Sequence, residues 1–186
     1  MKRGRIVLSA VVLIVVLLGI FAGPSLVKTA GRLLYPRPYE ELVEREAEEF
    51  SLDSDLIYAV MRTESGFDAD AESHAGAKGL MQLTPATFEW VSSLYPPENG
   101  GGDMLDPGDN IHCGCALLRL LLNEFGNMEV ALCAYNAGMG NVEKWLAEGK
   151  YSHDGENLHT IPYPETDSYL KKVQQAMDRY QRLYED

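Results

Sequence analysis

Glu64 is the side chain with which this sequence could do acid–base chemistry. It opens the segment ESGFDADAESHAGAKGLMQLTPAT, residues 64–87, and falls in the last turn of a predicted helix. The negative end of the helix dipole disfavours an ionised carboxylate there, and apolar neighbours would add to that effect. We therefore predict a raised pKa for Glu64, so that it could hand a proton to a poor leaving oxygen near neutral pH. Position alone leaves a solvated surface glutamate as the alternative.

The helix that carries Glu64 is predicted from its caps and its apolar run. Asp53 or Ser54 can cap its start, and Gly66 is placed to terminate it. The next stretch, residues 67–83, is rich in Gly, Ala, Asp and Ser and ends in GLMQL. It is predicted to be an irregular loop or a small hairpin.

The rest of the chain after the first 38 residues also has helical patterning, interrupted by loops. Asp109 is predicted to cap the strongest helix, which Gly126 closes, and residues up to His159 form an exposed excursion before the last helix. Six or seven helices with at most a small sheet indicate a mainly α (α+β) fold with a small β element. The predicted helices besides that of Glu64 cover residues 39–50, 84–94, 110–125, 128–135, 140–147 and 167–184.

Four segments in order resemble a known family. They are residues 64–87, DNI at 109–111, ALCAYNAGMGNV at 131–142 and PETDSYLKKV at 164–173. Their order and rough spacing are similar to the successive motifs of the soluble lytic murein transglycosylase family (SLT domain). Any one motif would be weak evidence, but the four together are specific. The resemblance covers nearly all of residues 38–184 and implies a lysozyme-like fold.

The resemblance implies a reaction for Glu64, which matches the family's only catalytic carboxylate. Such enzymes cleave the β-1,4 bond between N-acetylmuramic acid and N-acetylglucosamine in peptidoglycan without water. The glutamate protonates the leaving sugar, and the N-acetyl group supports the positive centre. The glutamate then deprotonates the C6 hydroxyl, which leaves a 1,6-anhydromuramic end. No second carboxylate is required, in contrast to ordinary glycosidases.

The resemblance also implies a set of residues that bind the sugar. Ser73 could instead be an ordinary loop serine, and Met81 could simply pack in the core. Tyr135 could be a buried structural tyrosine, and Glu165 could cap the final helix. The substrate-binding positions carried over from the family motifs are Ser73, Met81, Gln82, Tyr135, Asn136, Glu165 and Tyr169.

Other matched positions are predicted to be structural, and two features depart from the family pattern. Gly76 and Gly79 are predicted to serve backbone geometry and close approach to the sugar, and Asn110 and Ile111 match the DNI motif. Phe88 stands where alanine is common in the family. A Cys-x-Cys pair after Asn110 is the second departure. Neither touches a proposed catalytic position.

Two other functions remain open at this stage. A goose-type lysozyme shares the fold and a similar glutamate but hydrolyses the same bond with water. A catalytically silent glycan-binding or assembly module would keep the cleft without the chemistry, although it would not require Glu64, Ser73 and Tyr135 together. Product analysis separates the first alternative, and replacement of Glu64 separates the second.

The N-terminus is predicted to be a membrane anchor. Residues 6–22 carry no charge and follow Lys2, Arg3 and Arg5, and their length comes close to that of a spanning helix. We expect a cytoplasmic tail at 1–5, a transmembrane signal anchor at 6–23, a stalk at 24–37 and an extracytoplasmic catalytic domain at 38–186. A cleaved signal peptide that leads to secretion is the main alternative, and a cytoplasmic domain with a buried apolar helix is another.

Charge and cysteine content limit the partners. All 28 acidic residues but only 11 of the 16 basic ones lie after position 35, which makes nucleic acid a poor partner. Peptidoglycan strands and the cytoplasmic membrane are the expected partners, and envelope machinery is left unassigned.

No cofactor or metal site is predicted, because no CxxC, HExxH or phosphate-binding loop occurs. Cys113, Cys115 and Cys133 could be buried free thiols, or Cys133 could pair with one of the others.

Overall fold

The computed structural model describes residues 28–98 and 100–185. The predicted transmembrane segment at 6–23 lies outside the described residues, as does the start of the predicted stalk. Among the residues that are described, no helix is both long and apolar enough to cross a bilayer.

The chain divides into two compact units, and the described part of the smaller one comprises residues 28–36 and 181–185. Residues 28–34 are helical. Arg32 donates a hydrogen bond to the Leu183 carbonyl and its guanidinium lies over the Tyr184 ring, while the Tyr184 hydroxyl donates to the Tyr35 carbonyl. The part of the predicted stalk that is described is therefore structured.

The larger unit, Arg37–Tyr180, holds the predicted site. From residue 40 onward its named secondary-structure elements are all α-helices, which agrees with the predicted mainly α class. The helices are α1 (Glu40–Glu49), α2 (Ser54–Glu64), α3 (Pro85–Leu94), α4 (Pro107–Phe125), α5 (Met128–Ala137), α6 (Met139–Ala147) and α7 (Pro164–Tyr184).

Helix α2 forms because a cap precedes an unbroken buried run. The Asp53 carboxylate accepts a hydrogen bond from the Asp55 amide, which satisfies one of the free donors at a helix start. Residues 56–61 are all buried. Burial on every side anchors the middle of α2 in the core, so its last residue, Glu64, is held where the core meets the following loop.

Two helix starts differ from the sequence predictions. Asp106, and not Asp109, caps α4, because Pro107 fits the first helical position. Asp109 instead lies in the first turn and its carboxylate accepts from the Gly102 amide. Helix α7 begins three residues earlier than predicted, at Pro164, again because proline is preorganised for a first helical turn.

The predicted small β element is reduced to isolated pairs in the described residues. Antiparallel bridges join Glu72 to Lys78 and Lys78 to Leu83, within the segment predicted to be a loop or hairpin. This segment, residues 65–83, is called the site loop below. It returns the chain from the end of α2 to the start of α3.

The three cysteines are buried free thiols, so the alternative of a disulfide is not realised. Burial raises the pKa of Cys113 and Cys133 to about 12, and that of Cys115 is also well above its ordinary value. All three pack as small apolar side chains.

Candidate active site

Glu64 is the last residue of α2, and its side chain is half-buried. Burial raises the pKa of this carboxyl to about 7, and the nearby Glu165 carboxylate adds to the rise. Desolvation and a like charge both disfavour the ionised form. The structure therefore agrees with the predicted rise in the Glu64 pKa, and burial is the largest cause of that rise.

Helix α7 brings two groups to Glu64. Tyr169 is buried, and its hydroxyl is the one group that lowers the pKa of Glu64, although it makes no hydrogen bond of ordinary geometry in the described part of the chain. Glu165, one turn earlier, is exposed. The same helix thus presents a buried phenol and a solvated carboxylate to a single acid.

Helix α5 brings Tyr135. Its hydroxyl donates a hydrogen bond of 2.8 Å to the Met81 carbonyl. Burial and then the charge of Glu64 raise the pKa of Tyr135 well above its ordinary value, so the two side chains interact electrostatically. Tyr135 therefore links the site loop to the acid.

Side chains, rather than a sheet, hold the two ends of the site loop together and fix the loop to α4. The Ser65 hydroxyl donates to the Leu80 carbonyl over 2.8 Å. The Met81 amide donates to the Asn110 side-chain oxygen over 2.7 Å. Asn110 is fully buried, which agrees with the structural role predicted for it.

Met81 and Gln82 stabilise the site loop in different ways. The Met81 side chain is fully buried and packs against Gly114, so core packing, the alternative reading, describes its side chain better than contact with sugar. Gln82 has a left-handed backbone (φ 49°), which is strained for a residue with a Cβ. Its amide nitrogen donates to the carbonyls of Ala71 and Gly79, which offsets that strain and leaves its side-chain oxygen without a hydrogen bond in the described chain.

Ser73 is joined to its own loop and not to Glu64. Its hydroxyl accepts from the Ala77 amide over 3.0 Å, and its backbone pairs with Ala77 as well. The hydroxyl proton has no acceptor among the described residues, so it remains available to a ligand. Asn136 lies at the end of α5, where its side-chain oxygen accepts from the Thr166 hydroxyl over 2.8 Å.

A tight approach at Gly79 gives a testable prediction. Gly79 has φ 77°, and a Cβ there would meet the Asn110 amide and lie 2.5 Å from the Met104 carbonyl. Gly76 has nearly the same φ, 78°, with open space around it. We expect Gly79→Ala to lower the free energy of unfolding by about 3 kcal/mol or more, since backbone strain and overpacking combine.

Gly76→Ala is the matched control, because it adds the same methyl group to a similar backbone without a collision. It is expected to cost only about 1 to 2 kcal/mol. Urea unfolding of both variants measures the difference. Equal losses would show that Asn110 and Met104 do not press on Gly79.

The sequence pattern of the Transglycosylase SLT domain matches residues 41–158, which include Glu64, the site loop and Tyr135. The chain is a member of the transglycosylase SLT domain family. The sequence resemblance that pointed to this family is thereby confirmed.

Individual relatives of the SLT domain show the extent of the match. A soluble lytic murein transglycosylase from Salmonella typhimurium is 34% identical over 154 residues, which is 81% of this chain and 24% of that protein. Membrane-bound lytic murein transglycosylase F of Desulfosudis oleivorans is 38% identical over 125 residues, or 62% of this chain and 26% of that protein.

The structure of an inactive variant of lytic transglycosylase Slt from Pseudomonas aeruginosa superimposes on this SLT domain with a TM-score of 0.68. The two are 32% identical, and the match covers 82% of this chain and 25% of the other. This chain thus spans about a quarter of the length of the relatives it matches. The mainly helical SLT fold is shared, while the relatives carry much additional chain.

Sequence reasoning missed Ser65 as a member of the SLT site. It follows Glu64 directly, and its hydroxyl bridges the end of α2 to the site loop. The position of Ser65 directly after the acid in the first motif could have indicated a role in the site. A serine at a helix end, however, commonly bonds only to the backbone of its own helix. Its partner, Leu80, is 15 residues away and has no sequence feature that identifies it.

Proposed function

We propose that this SLT domain is a peptidoglycan lytic transglycosylase with Glu64 as its single acid/base. The observation that carries the proposal is the Glu64 carboxyl, whose burial raises its pKa to about 7 at the end of α2. Such a group holds a proton near neutral pH, as protonation of a glycosidic oxygen requires. Members of the same family that match this chain are named as lytic murein transglycosylases.

The proposed mechanism uses Glu64 twice. The protonated carboxyl gives its proton to the oxygen that leaves as the β-1,4 bond breaks, and the substrate's N-acetyl group supports the positive centre. The resulting carboxylate then takes the proton of the C6 hydroxyl, and that oxygen closes onto C1. Glu64 ends protonated again, the product carries a 1,6-anhydro ring, and no water is consumed.

The remaining substrate contacts are proposals that rest on the geometry of the side chains. Gln82 and Ser73 each keep an unused hydrogen-bonding atom, the amide oxygen of Gln82 and the hydroxyl proton of Ser73. Tyr135 and Tyr169 would flank the Glu64 carboxyl, and the Tyr169 hydroxyl offsets part of the rise in the Glu64 pKa that burial causes. Met81 would contribute its backbone and not its side chain. Asn136 and Glu165 complete the proposed contacts.

Hydrolysis is the second candidate reaction, and one observation favours it. Glu165 is a solvated carboxylate close enough to raise the pKa of Glu64, and inverting glycosidases use a second carboxylate to activate water. We prefer the non-hydrolytic reaction because the relatives described above are lytic murein transglycosylases.

We also propose the domain organisation inferred from the N-terminal sequence. Residues 1–5 would be cytoplasmic, 6–23 a single membrane-spanning anchor, 24–37 a stalk and 38–186 an extracytoplasmic catalytic domain. The uncharged run at 6–22 after three basic residues supports this, and membrane-bound relatives exist in the family. Membrane fractionation of the full chain and of a form lacking residues 1–23 tests it: if both were soluble, the anchor would be refuted.

The pH dependence of cleavage tests the role of Glu64. Because the acid must be protonated, kcat/KM is expected to fall about tenfold per pH unit once the pH passes the Glu64 pKa of about 7. Glu165→Gln removes a like charge, so it should move this decline to lower pH.

Glu89→Gln is the matched control, since Glu89 is exposed on α3. It should leave the decline where it is in the unmodified protein. A decline that moved equally in both variants, or no decline between pH 6 and 9, would count against Glu64 as the acid.

A further inference from the structure

One peptide group beside Glu64 is hydrogen-bonded at both ends. The Leu80 carbonyl accepts from the hydroxyl of Ser65, which directly follows Glu64. The amide of the same peptide group, that of Met81, donates to the Asn110 side-chain oxygen over 2.7 Å. Hydrogen bonds in such a chain reinforce one another. The peptide is thus clamped between the end of α2 and the start of α4.

Asn110 is itself immobilised. Its side-chain nitrogen donates to the carbonyls of Lys78 and Met104 over 3.0 and 2.7 Å, so both of its protons are used. The side chain is completely buried, and Gly79 lies directly against it. Asn110 therefore cannot turn without breaking three hydrogen bonds to the backbone.

The clamped residue, Met81, controls the proton of Tyr135. Its carbonyl accepts the single hydroxyl proton of Tyr135 over 2.8 Å, so Tyr135 cannot donate to Glu64 at the same time. The Tyr169 hydroxyl and the Glu165 carboxylate, both on α7, shift the pKa of Glu64, and the charge of Glu64 in turn raises the pKa of Tyr135 on α5. Of these, Tyr135 is the one whose proton is held elsewhere.

We propose that Asn110 is a positioning residue for Glu64: by fixing Met81, it keeps the Tyr135 proton on the Met81 carbonyl and away from the Glu64 carboxyl. Asn110 does not touch the acid and acts through two intermediates. The inference rests on the proposed function for its catalytic meaning, although the proton arrangement itself can be measured without turnover.

The sign of the effect follows from hydrogen bonding. If Met81 shifts, the Tyr135 hydroxyl is released and can donate to Glu64, which favours the carboxylate. Loss of Asn110 should therefore lower the pKa of Glu64, so that a smaller fraction of Glu64 is protonated near neutral pH. A purely structural asparagine would change stability without this directed shift.

The test is a double-mutant cycle read by carboxyl ¹³C NMR, with the Glu64 signal assigned from Glu64→Gln. Asn110→Ala is expected to lower the Glu64 pKa by roughly one unit. In a Tyr135→Phe background, the same substitution should change it little, because no hydroxyl remains to be redirected. Circular dichroism at the temperature of measurement establishes that each variant is folded.

Asp106→Ala is the matched control, since it removes the cap of the same helix α4 but leaves the bond from Asn110 to Met81. It should lower stability without moving the Glu64 pKa. If Asn110→Ala does not fold, Asn110→Ser takes its place, because its shorter side chain cannot reach all three backbone partners.

An unchanged Glu64 pKa, or the same shift with and without the Tyr135 hydroxyl, would overturn the proposal. Either result would leave the proposed reaction intact, because the reaction requires only that Glu64 be protonated. Conversely, the cycle could give the expected changes in the Glu64 pKa while the unmodified protein fails to cleave peptidoglycan. That result would support the proton arrangement and refute the proposed function.

Discussion

Replacing Glu64 by glutamine is expected to reduce cleavage of purified peptidoglycan by about 100- to 10,000-fold, the range that a lost general acid typically costs. Glutamine preserves the shape of the side chain but can neither give nor accept the proton. The structure of an inactive variant of the Pseudomonas aeruginosa relative, in which a glutamate is replaced by glutamine, superimposes on this fold. Turnover is measured from soluble products released per enzyme molecule.

The same substitution should stabilise the protein at high pH. Native Glu64 keeps its proton to about pH 7, whereas the unfolded chain releases it near its ordinary value of about 4.5. The native state therefore binds more protons between these values, and stability falls as the pH rises through this window. Glu64→Gln should raise the free energy of unfolding by on the order of 2 to 3 kcal/mol at pH 8 and change it little at pH 4.

Glu89→Gln, on the exposed face of α3, provides the comparison for both measurements. It should alter neither turnover nor stability by more than a small factor. Inactivation of Glu64→Gln together with a loss of stability at pH 8 would indicate damage to the fold, and would remove the support for a buried acid. Unchanged turnover would leave the silent glycan-binding alternative standing.

The second large effect concerns a buried ion pair away from the acid. Glu46 on α1 is 1% exposed, and its carboxylate accepts from Arg45 over 2.8 Å and contacts His112 of α4 over 2.8 Å. Phe50 packs edge-on against the same imidazole. We expect Glu46→Ala to lower the free energy of unfolding by about 3 to 5 kcal/mol, because it leaves a buried imidazole and a guanidinium without their anion.

The pair also has a defined pH window. Hydrogen bonding to Glu46 raises the pKa of His112, while burial resists ionisation of Glu46 and its partners lower its pKa overall. The Glu46 contribution is present above its unfolded pKa and is lost as the pH falls through the lowered value. The His112 contribution is present below its unfolded pKa and is lost as the pH rises through the raised value. The difference between Glu46→Ala and the unmodified protein should therefore be largest in mildly acidic solution.

Glu49→Ala is the control, because Glu49 is exposed one turn further along α1. It should cost no more than about 0.5 kcal/mol. Glu46, Glu49 and His112 also place ligand atoms within 4.8 Å of one another. Since both Glu46 oxygens already have partners, the ion pair accounts for the cluster. Equal losses in the two variants would show that the pair contributes nothing specific.

Local signals in the sequence were sufficient for the helix that carries the acid. The Asp53 cap and the buried run before Glu64 fixed α2 to within a residue of its predicted limits. Choosing between Asp106 and Asp109 as the cap of α4 required weighing Pro107, whose fixed φ suits the first turn. Helix starts depend on one or two neighbours, so they are accessible to such reasoning.

The connections that shape the site were not accessible in this way. Ser65 reaches Leu80, and Asn110 reaches Met81 across 29 residues, and neither bond follows from a repeat or a local propensity. The burial of the Met81 side chain depends on Gly114, which leaves a space on α4. The resemblance identified Met81, but only the packing shows that its side chain lies in the core while its amide and carbonyl bond to Asn110 and Tyr135.

Mass spectrometry of peptidoglycan digested by the purified protein tests the central claim most directly. In water enriched in ¹⁸O, the protein should release fragments with 1,6-anhydromuramic ends that contain no heavy oxygen, and Glu64→Gln should release almost none. Fragments that carry reducing ends labelled with ¹⁸O, produced by the unmodified protein and lost in the same variant, would show that Glu64 directs hydrolysis and would contradict the account.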